Sequence, residues 1–509
     1  MKRIRLAVAA SIAVAALTLT ACSSGSGGAA VSAGGKPGLT LGILQEPASW
    51  SPTQAHVGHL LQPYQVVYDT LILRKPDGTY APMLATEWKY TDATNLVFQL
   101  KLRSGVSFSD GEKFNAAAVK ANLEAFGKDN GRQKAQLAAV ESVTAVDDST
   151  VEVKLKAQDP AFEYYLSQAA GLMASPKALG TDDLKRNPVG TGPYVMVKDQ
   201  SVVGTQYVFT PRQGYWNTDL QKFSKVTLKL LADTTARVNA VTSGQVDATL
   251  LTAATMAQAD AKKLTKLAYP TDWTGLLIFD RDGKIVPELK NPKVRQAMNH
   301  AFDRASMLKS LAGGQGDVTS QVFGPASGAY LPELDNRYPF DKEKAKALLA
   351  EAGVGPFTIE MPVLSGQNDR EMTFVAQALG DIGITVKQTA VPLADYQGLL
   401  GQGKFAVAWF SLFQGVPWVA VNQMIVPNTL YNPFKTTNPE IEALIAAVRD
   451  GGKDSAEKAK AVNTYVTEQA WFIPWYRPAQ LYYFDAAKVK VTPQTQQAVP
   501  SIYNYEPAK

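Results

Sequence analysis

The sequence predicts a mixed α/β protein built from two or three lobes. Three observations carry this: stretches of period-two apolar alternation, capped stretches of helical periodicity between them, and a length beyond what one core fills. At 509 residues and 46% apolar composition, the chain outgrows a single hydrophobic core and is too apolar to stay unfolded.

The chain opens with a leader. Lys2, Arg3 and Arg5 precede an uncharged apolar run over residues 6–19, and small residues follow, which is signal-peptide anatomy. The run is short of the about 20 residues that a membrane-spanning helix needs, so a permanent transmembrane anchor is the weaker alternative. Leu19-Thr20-Ala21-Cys22 resembles the bacterial lipoprotein box, and Cys22 is the only cysteine in the chain. A lone cysteine excludes internal disulfides and thiolate metal clusters. The resemblance implies cleavage before Cys22 and acylation of its sulfur, and two or more acyl chains make a durable anchor. A buried core cysteine is the plain alternative. Residues 22–38, rich in Ser, Gly and Ala, read as a flexible tether. The formal charge of +5 includes the leader; without Lys2, Arg3 and Arg5 the balance is 48 basic against 46 acidic residues, no footprint for nucleic acid.

In the body, residues 39–44 form a short apolar strand. Glu46-Pro47-Ala48-Ser49-Trp50-Ser51-Pro52 is a turn-rich segment whose prolines forbid regular pairing, and a helix is expected over residues 58–68. Leu96, Phe98, Leu100 and Leu102 alternate with polar or edge residues, as do Val151, Val153 and Leu155, which predicts half-buried strands. Asn115 caps a helix carrying Val119, Leu123 and Phe126. Asn291-Pro292 opens another, with cap and first-turn proline in order. Asp303 caps the next, and Asp341 begins a helix that Gly353 ends as a left-handed residue.

Several segments together resemble one family. They are Val67-Tyr68-Asp69-Thr70-Leu71, Asp77-Gly78 with Pro82-Met83-Leu84-Ala85 and Trp88, and Gly105-Val106-Ser107-Phe108-Ser109-Asp110-Gly111. Further on come Gly190-Thr191-Gly192-Pro193-Tyr194, Tyr215-Trp216, Ser243-Gly244-Gln245-Val246-Asp247, and Val294-Arg295-Gln296-Ala297 with Asp303-Arg304. In this order they resemble the peptide and nickel class (family 5) of extracellular solute-binding proteins that feed ABC importers. The resemblance implies a two-lobed periplasmic-binding-protein-like α/β fold with a hinge and an extra subdomain. The first lobe would comprise residues 39–72, 188–272 and 478–509, the inserted subdomain 73–187, and the second lobe 273–477. It implies a small-molecule or peptide ligand, ABC permease subunits with separate ATPase subunits as partners, no cofactor, and residence on the outer face of the cytoplasmic membrane.

In relatives, the segment around Glu46 and Trp50 and a late aromatic segment face the cleft. Here the latter holds Trp409, Phe410, Phe413 and Trp418. These rings offer contact area at little entropic cost, against the plain alternative of core packing. Val416 stands where peptide-binding members carry an aspartate for the peptide's amino group, so such a ligand would need another acidic anchor, Glu46 being one option. His56 and His59, two of three histidines, have the spacing of one helical turn. They make nickel-chelate or haem binding the second ligand reading, although two imidazoles are an incomplete ligand set; a sugar or opine ligand is a third. His300 reads as packed or surface.

Catalysis finds little support. There is no nucleophile elbow or zincin motif, and Gly313-Gly314-Gln315-Gly316 is followed by Asp317-Val318 rather than by the Lys and Ser or Thr of a phosphate loop. Paired carboxylates of a secreted hydrolase remain the alternative from another functional class.

Overall fold

A computed structural model of the protein describes residues 35–57, 60–364, 366–413 and 415–509. The leader, Cys22, His59 and most of the tether lie outside the described residues. From Lys36–Lys509 the chain forms one compact unit.

Its frame is a ten-stranded sheet. We number the strands β1 (Gly38–Ile43), β2 (Tyr194–Met196), β3 (Gln206–Pro211), β4 (Lys225–Leu230), β5 (Ala248–Leu251), β6 (Thr265–Pro270), β7 (Asp272–Ile278), β8 (Gly316–Val318), β9 (Val407–Phe413) and β10 (Phe472–Phe484). The order is β9-β7-β10-β5-β1-β4-β3-β2, with β6 and β8 also paired to β10. Strand β1 runs parallel to β4 and β5, with Gly38 opposite Lys225 and Leu41 opposite Ala248. All other pairings of the frame are antiparallel.

The 13-residue strand β10 serves both halves of the molecule. Its first half pairs with β7 and β8 and places Ile473, Trp475 and Tyr476 in a core shared with Leu276, Val294, Met298 and Phe302. Its second half pairs with β5 and β6 and sends Leu481 and Tyr483 into a core with Val238, Val246 and Leu251. Between them Pro478, Ala479 and Gln480 are only partly buried, beside the break between β6 and β7 at Thr271. The chain therefore crosses between the two cores twice, at neighbouring points.

Between β1 and β2 a second, four-stranded antiparallel sheet is inserted: Ala85–Tyr90, Val97–Leu102, Thr150–Leu155 and Val140–Asp147, in that spatial order. The expected alternation holds, with Phe98, Leu100 and Leu102 on the buried face and Val151, Val153 and Leu155 likewise. The expected caps also form. The side chains of Asn115, Asn291, Asp303 and Asp341 accept from the backbone N–H groups of Ala118, Lys293, Ser306 and Lys344 at 2.9–3.0 Å. Gly353 sits at φ 68° just beyond the helix Lys342–Glu351. His300 is packed, its Nδ1 2.7 Å from the Pro339 carbonyl oxygen.

One expected helix is cut short. Of the described residues 60–68, only Leu61–Gln65 is α-helical, because the carbonyls of Val66 and Val67 accept from Tyr194 and Gly192 N–H instead of closing further turns. Gly190 and Gly192 permit this approach, since a Cβ at either would fall within 2.5 Å of Val67 or Tyr68 atoms. Asp69, fully buried next to this contact, accepts from Tyr215 Oη (2.9 Å), Trp216 Nε1 (2.8 Å) and Tyr503 Oη (3.0 Å). It ties three distant stretches of chain together.

Burial pushes the Asp69 carboxyl up to about 6, although its three donors and Arg212 all favour the charged form. A folded pKa above the unfolded one means that the native state holds the proton longer. Stability therefore falls as pH rises from about 4 to 6 and levels off above. Replacing Asp69 by Asn is expected to flatten this slope, by at most about 3 kcal/mol from a two-unit shift. The change in melting temperature between pH 4.5 and 7, compared for wild type and variant, measures it.

Candidate ligand-binding site

Where the two halves meet, the chain encloses two cavities. The first, about 380 Å³, lies at the double crossing, between residues 269–272, residues 324–327, Arg477 and residues 492–496. Arg477 is buried, and its Nη2 donates to Thr319 Oγ1 (2.7 Å), the Phe323 carbonyl (2.8 Å) and Asp335 Oδ1 (2.7 Å). Gln496 spans this junction. Its Nε2 donates to the Gly415 carbonyl (2.7 Å) and the Ala326 carbonyl (3.3 Å), while its Oε1 accepts from Arg74 Nη2 (2.6 Å). Arg74 also donates to the Thr495 carbonyl at 2.6 Å. One side-chain amide thus links the C-terminal segment, the inserted sheet region and the chain around β9. Gln496 adopts φ 55° to do so, a left-handed backbone that a residue with a side chain adopts at a cost.

The second cavity, about 480 Å³, lies between the inserted subdomain and the helix Pro417–Met424. Tyr80, Tyr90, Asp159 and Glu163 face it from the subdomain; Val416 and Trp418 face it from the other side. Asp159 accepts from Ala161 N–H at 3.0 Å. Burial pushes its carboxyl up to about 6, even though that N–H and the Trp418 indole both favour the carboxylate. Burial likewise raises the Glu163 carboxyl, against the pull of Trp88. The Tyr90 hydroxyl is raised by burial and by Asp159 and Glu163 together.

The residues singled out in the sequence are dispersed around this junction. Glu46 Oε2 accepts from Gly204 N–H (2.9 Å) and Tyr207 Oη (2.7 Å), fastening the loop before β3. Trp50 is 2% exposed and packed against Tyr64, Tyr207 and Phe209, with ring centroids 5.2–5.9 Å apart. His56 is partly exposed, its Nδ1 2.9 Å from the Val57 carbonyl oxygen. On β9 the side chains alternate: Trp409 packs into the core with Leu276 and Val294, and Phe410 into the one with Phe279, Tyr396 and Tyr431. Phe413 pairs with Asp272 through the backbone. Trp418, 7% exposed, lines the second cavity. Among the described residues no three His, Cys, Asp or Glu side chains are placed to hold a metal ion, and no helix is long and apolar enough to cross a membrane.

Comparison with known proteins supplies the family. The profile described as "Bacterial extracellular solute-binding proteins, family 5 Middle" matches residues 79–427. The chain belongs to that family. It is 30% identical over 375 residues to the glutathione-binding protein GsiB of Salmonella typhi, covering 69% of this chain and 71% of that one. Among solved structures, NikA from Brucella suis in complex with Fe(III)-EDTA superposes at TM-score 0.80 with 22% identity, covering 92% of this chain and 100% of that one. DppA from Helicobacter pylori in complex with peptide STSA superposes at TM-score 0.77 with 20% identity, covering 93% and 99%. The mixed α/β, two-lobed fold expected from the sequence is therefore the fold of this chain. The named relatives are binding proteins, and the family is extracytoplasmic.

Sequence reasoning did not single out Asp159, Glu163, Arg477 or Gln496. The family-like motifs drew attention to glycines and aromatics, while these four come together only when distant segments meet. The one local signal was the acid pair four residues apart at Asp159 and Glu163. Gln496→Ala removes the amide at the junction and with it about 1–3 kcal/mol favouring closure, at about 1 kcal/mol per hydrogen bond. Its solute-free radius of gyration in small-angle X-ray scattering is expected to exceed that of wild type.

Proposed function

We propose that this family 5 protein captures a peptide or peptide-like organic solute between its two lobes and presents the closed form to an ABC-type permease. It performs no chemistry on the solute, and ATP hydrolysis belongs to separate subunits. The observation that carries the reading is the double crossing at β6–β7 and β10, with the first cavity at it and Gln496 bonded across it. Such a frame lets two rigid bodies close on a ligand while little else deforms. Closure then surrounds the solute and removes it from water. In this reading the lobes follow the boundaries expected from the sequence, and Trp418 meets the solute.

The proposal extends to the anchor: the leader is cleaved, Cys22 is acylated, and the body stands on the outer face of the cytoplasmic membrane. A Cys22→Ala variant is expected to move from the detergent-rich to the aqueous phase on Triton X-114 partition, with the wild type staying in detergent.

Native mass spectrometry of the unlipidated body purified from its own cells tests capture directly. The expected result is one organic solute bound 1:1 and released on denaturation. Glutathione, for which relatives are named, is the first defined compound to add; at 100 times its Kd a bound solute raises stability by about 2.7 kcal/mol. A body that carries no solute and instead hydrolyses peptides or glycans overturns the assignment.

A further inference from the structure

Two buried aspartates of this protein live in contrasting surroundings. Asp69 accepts from three side-chain donors and feels Arg212, so its charge is compensated within the fold. Asp159, 7% exposed, accepts one backbone N–H beside the Trp418 indole. Glu163 lies on the same cavity wall, and among the described residues no cation acts on either carboxylate. The basic residues nearest the cavity do not change this. Arg449 donates Nε and Nη2 to the carboxylate of Asp450, each at 2.7 Å, and Lys453 is exposed at the mouth.

A buried acid and a half-buried one beside it, with no cation bonded to either, are costly to a fold unless something outside the chain completes them. The walls around them specify what that is. Tyr80, Tyr90 and Trp418 border the same space, and aromatic faces attract a cation that has shed part of its water. Two carboxylates give a metal ion too few ligands, and 480 Å³ is far more room than a bare ion fills. Val416 and Pro417 add apolar surface suited to the carbon frame of an organic cation.

We infer that the captured solute carries an alkylammonium group, received between Asp159 and Glu163 and walled by Tyr80, Tyr90 and Trp418. This rests on the solute-capture reading above and assigns the charge of its ligand. The inserted subdomain is then a specificity element: it supplies both acids and the Tyr80 and Tyr90 rings, and the chain after β9 supplies Trp418 and the apolar surface of Val416 and Pro417.

The test uses two ligand pools, a set of tripeptides with free amino ends and the same set N-acetylated. Binding to wild type, Asp159→Asn and Glu163→Gln is followed by native mass spectrometry and calorimetric titration. Both substitutions preserve shape, and thermal melts verify that the variants fold. Wild type is expected to bind the free-amine pool at least about tenfold tighter than the acetylated pool, about 1.4 kcal/mol. Each variant is expected to lose that preference, weakening toward the free pool and leaving acetylated peptides unaffected. Equal binding of both pools by wild type, unchanged preference in both variants, or a co-purified solute without a cationic group overturns the inference while leaving capture intact. A body that carries no solute and binds neither pool overturns capture itself.

Discussion

The rest of the molecule depends on one strand, β10, that contributes side chains to all three of its hydrophobic cores. β10 buries Ile473 and Trp475 on one side of the junction and Leu481 and Tyr483 on the other, so neither half is complete without it. A continuous strand bends and twists but does not slide past its neighbours, because each slip by one residue would turn every side chain to the wrong face. In the proposed closure, rotation falls at the partly buried stretch of Pro478, Ala479 and Gln480 and the adjoining break at Thr271. The first cavity lies at this point.

Around this frame the protein treats buried charge in two ways. In the structural parts, several buried ions are hydrogen-bonded within the fold, whereas the buried Arg281 guanidinium lies over the Trp471 and Phe472 rings without a hydrogen-bond partner among the described residues. Asp69 holds three donors, and Arg304 donates to the carbonyls of Asn299, Thr319, Tyr338 and Pro474. Those contacts explain why Asp69 and Arg304 stand in the family-like motifs: each closes loops that would otherwise leave polar groups without partners. Facing the second cavity, by contrast, Asp159 and Glu163 stay short of partners. What sets this pair apart from Asp69 is that both acids open onto a cavity walled by aromatic rings.

Much of the fold was legible in the sequence because its signals are local. Asn115, Asn291, Asp303 and Asp341 cap helices through N–H groups two or three residues away, and the alternation around Phe98 and Val153 reports a face directly. The helix expected over residues 58–68 failed because its carbonyls were claimed by Gly192 and Tyr194, a tertiary contact that no local pattern carries. The candidate site was less legible for the same reason. Aromatic residues in a late strand suggested a ligand face, but pairing with β7 sends Trp409 and Phe410 into opposite cores. Glu46 reads as a free anchor until the β3 region brings Tyr207 to it. Trp418 meets Asp159 only after the inserted sheet and the second lobe have packed together.

The place of β10 and Gln496 in chain order has a consequence for biogenesis. The strand that unites the cores, and the amide that fastens the junction, lie in the last 38 residues of the chain. Strands β5, β6 and β7 wait for their shared neighbour until β10 has been made. Contacts of such long sequence separation form slowly. In the proposed export, led by the leader, the frame cannot be completed before β10 has followed the rest of the chain, so the order of the strands delays folding until late in passage.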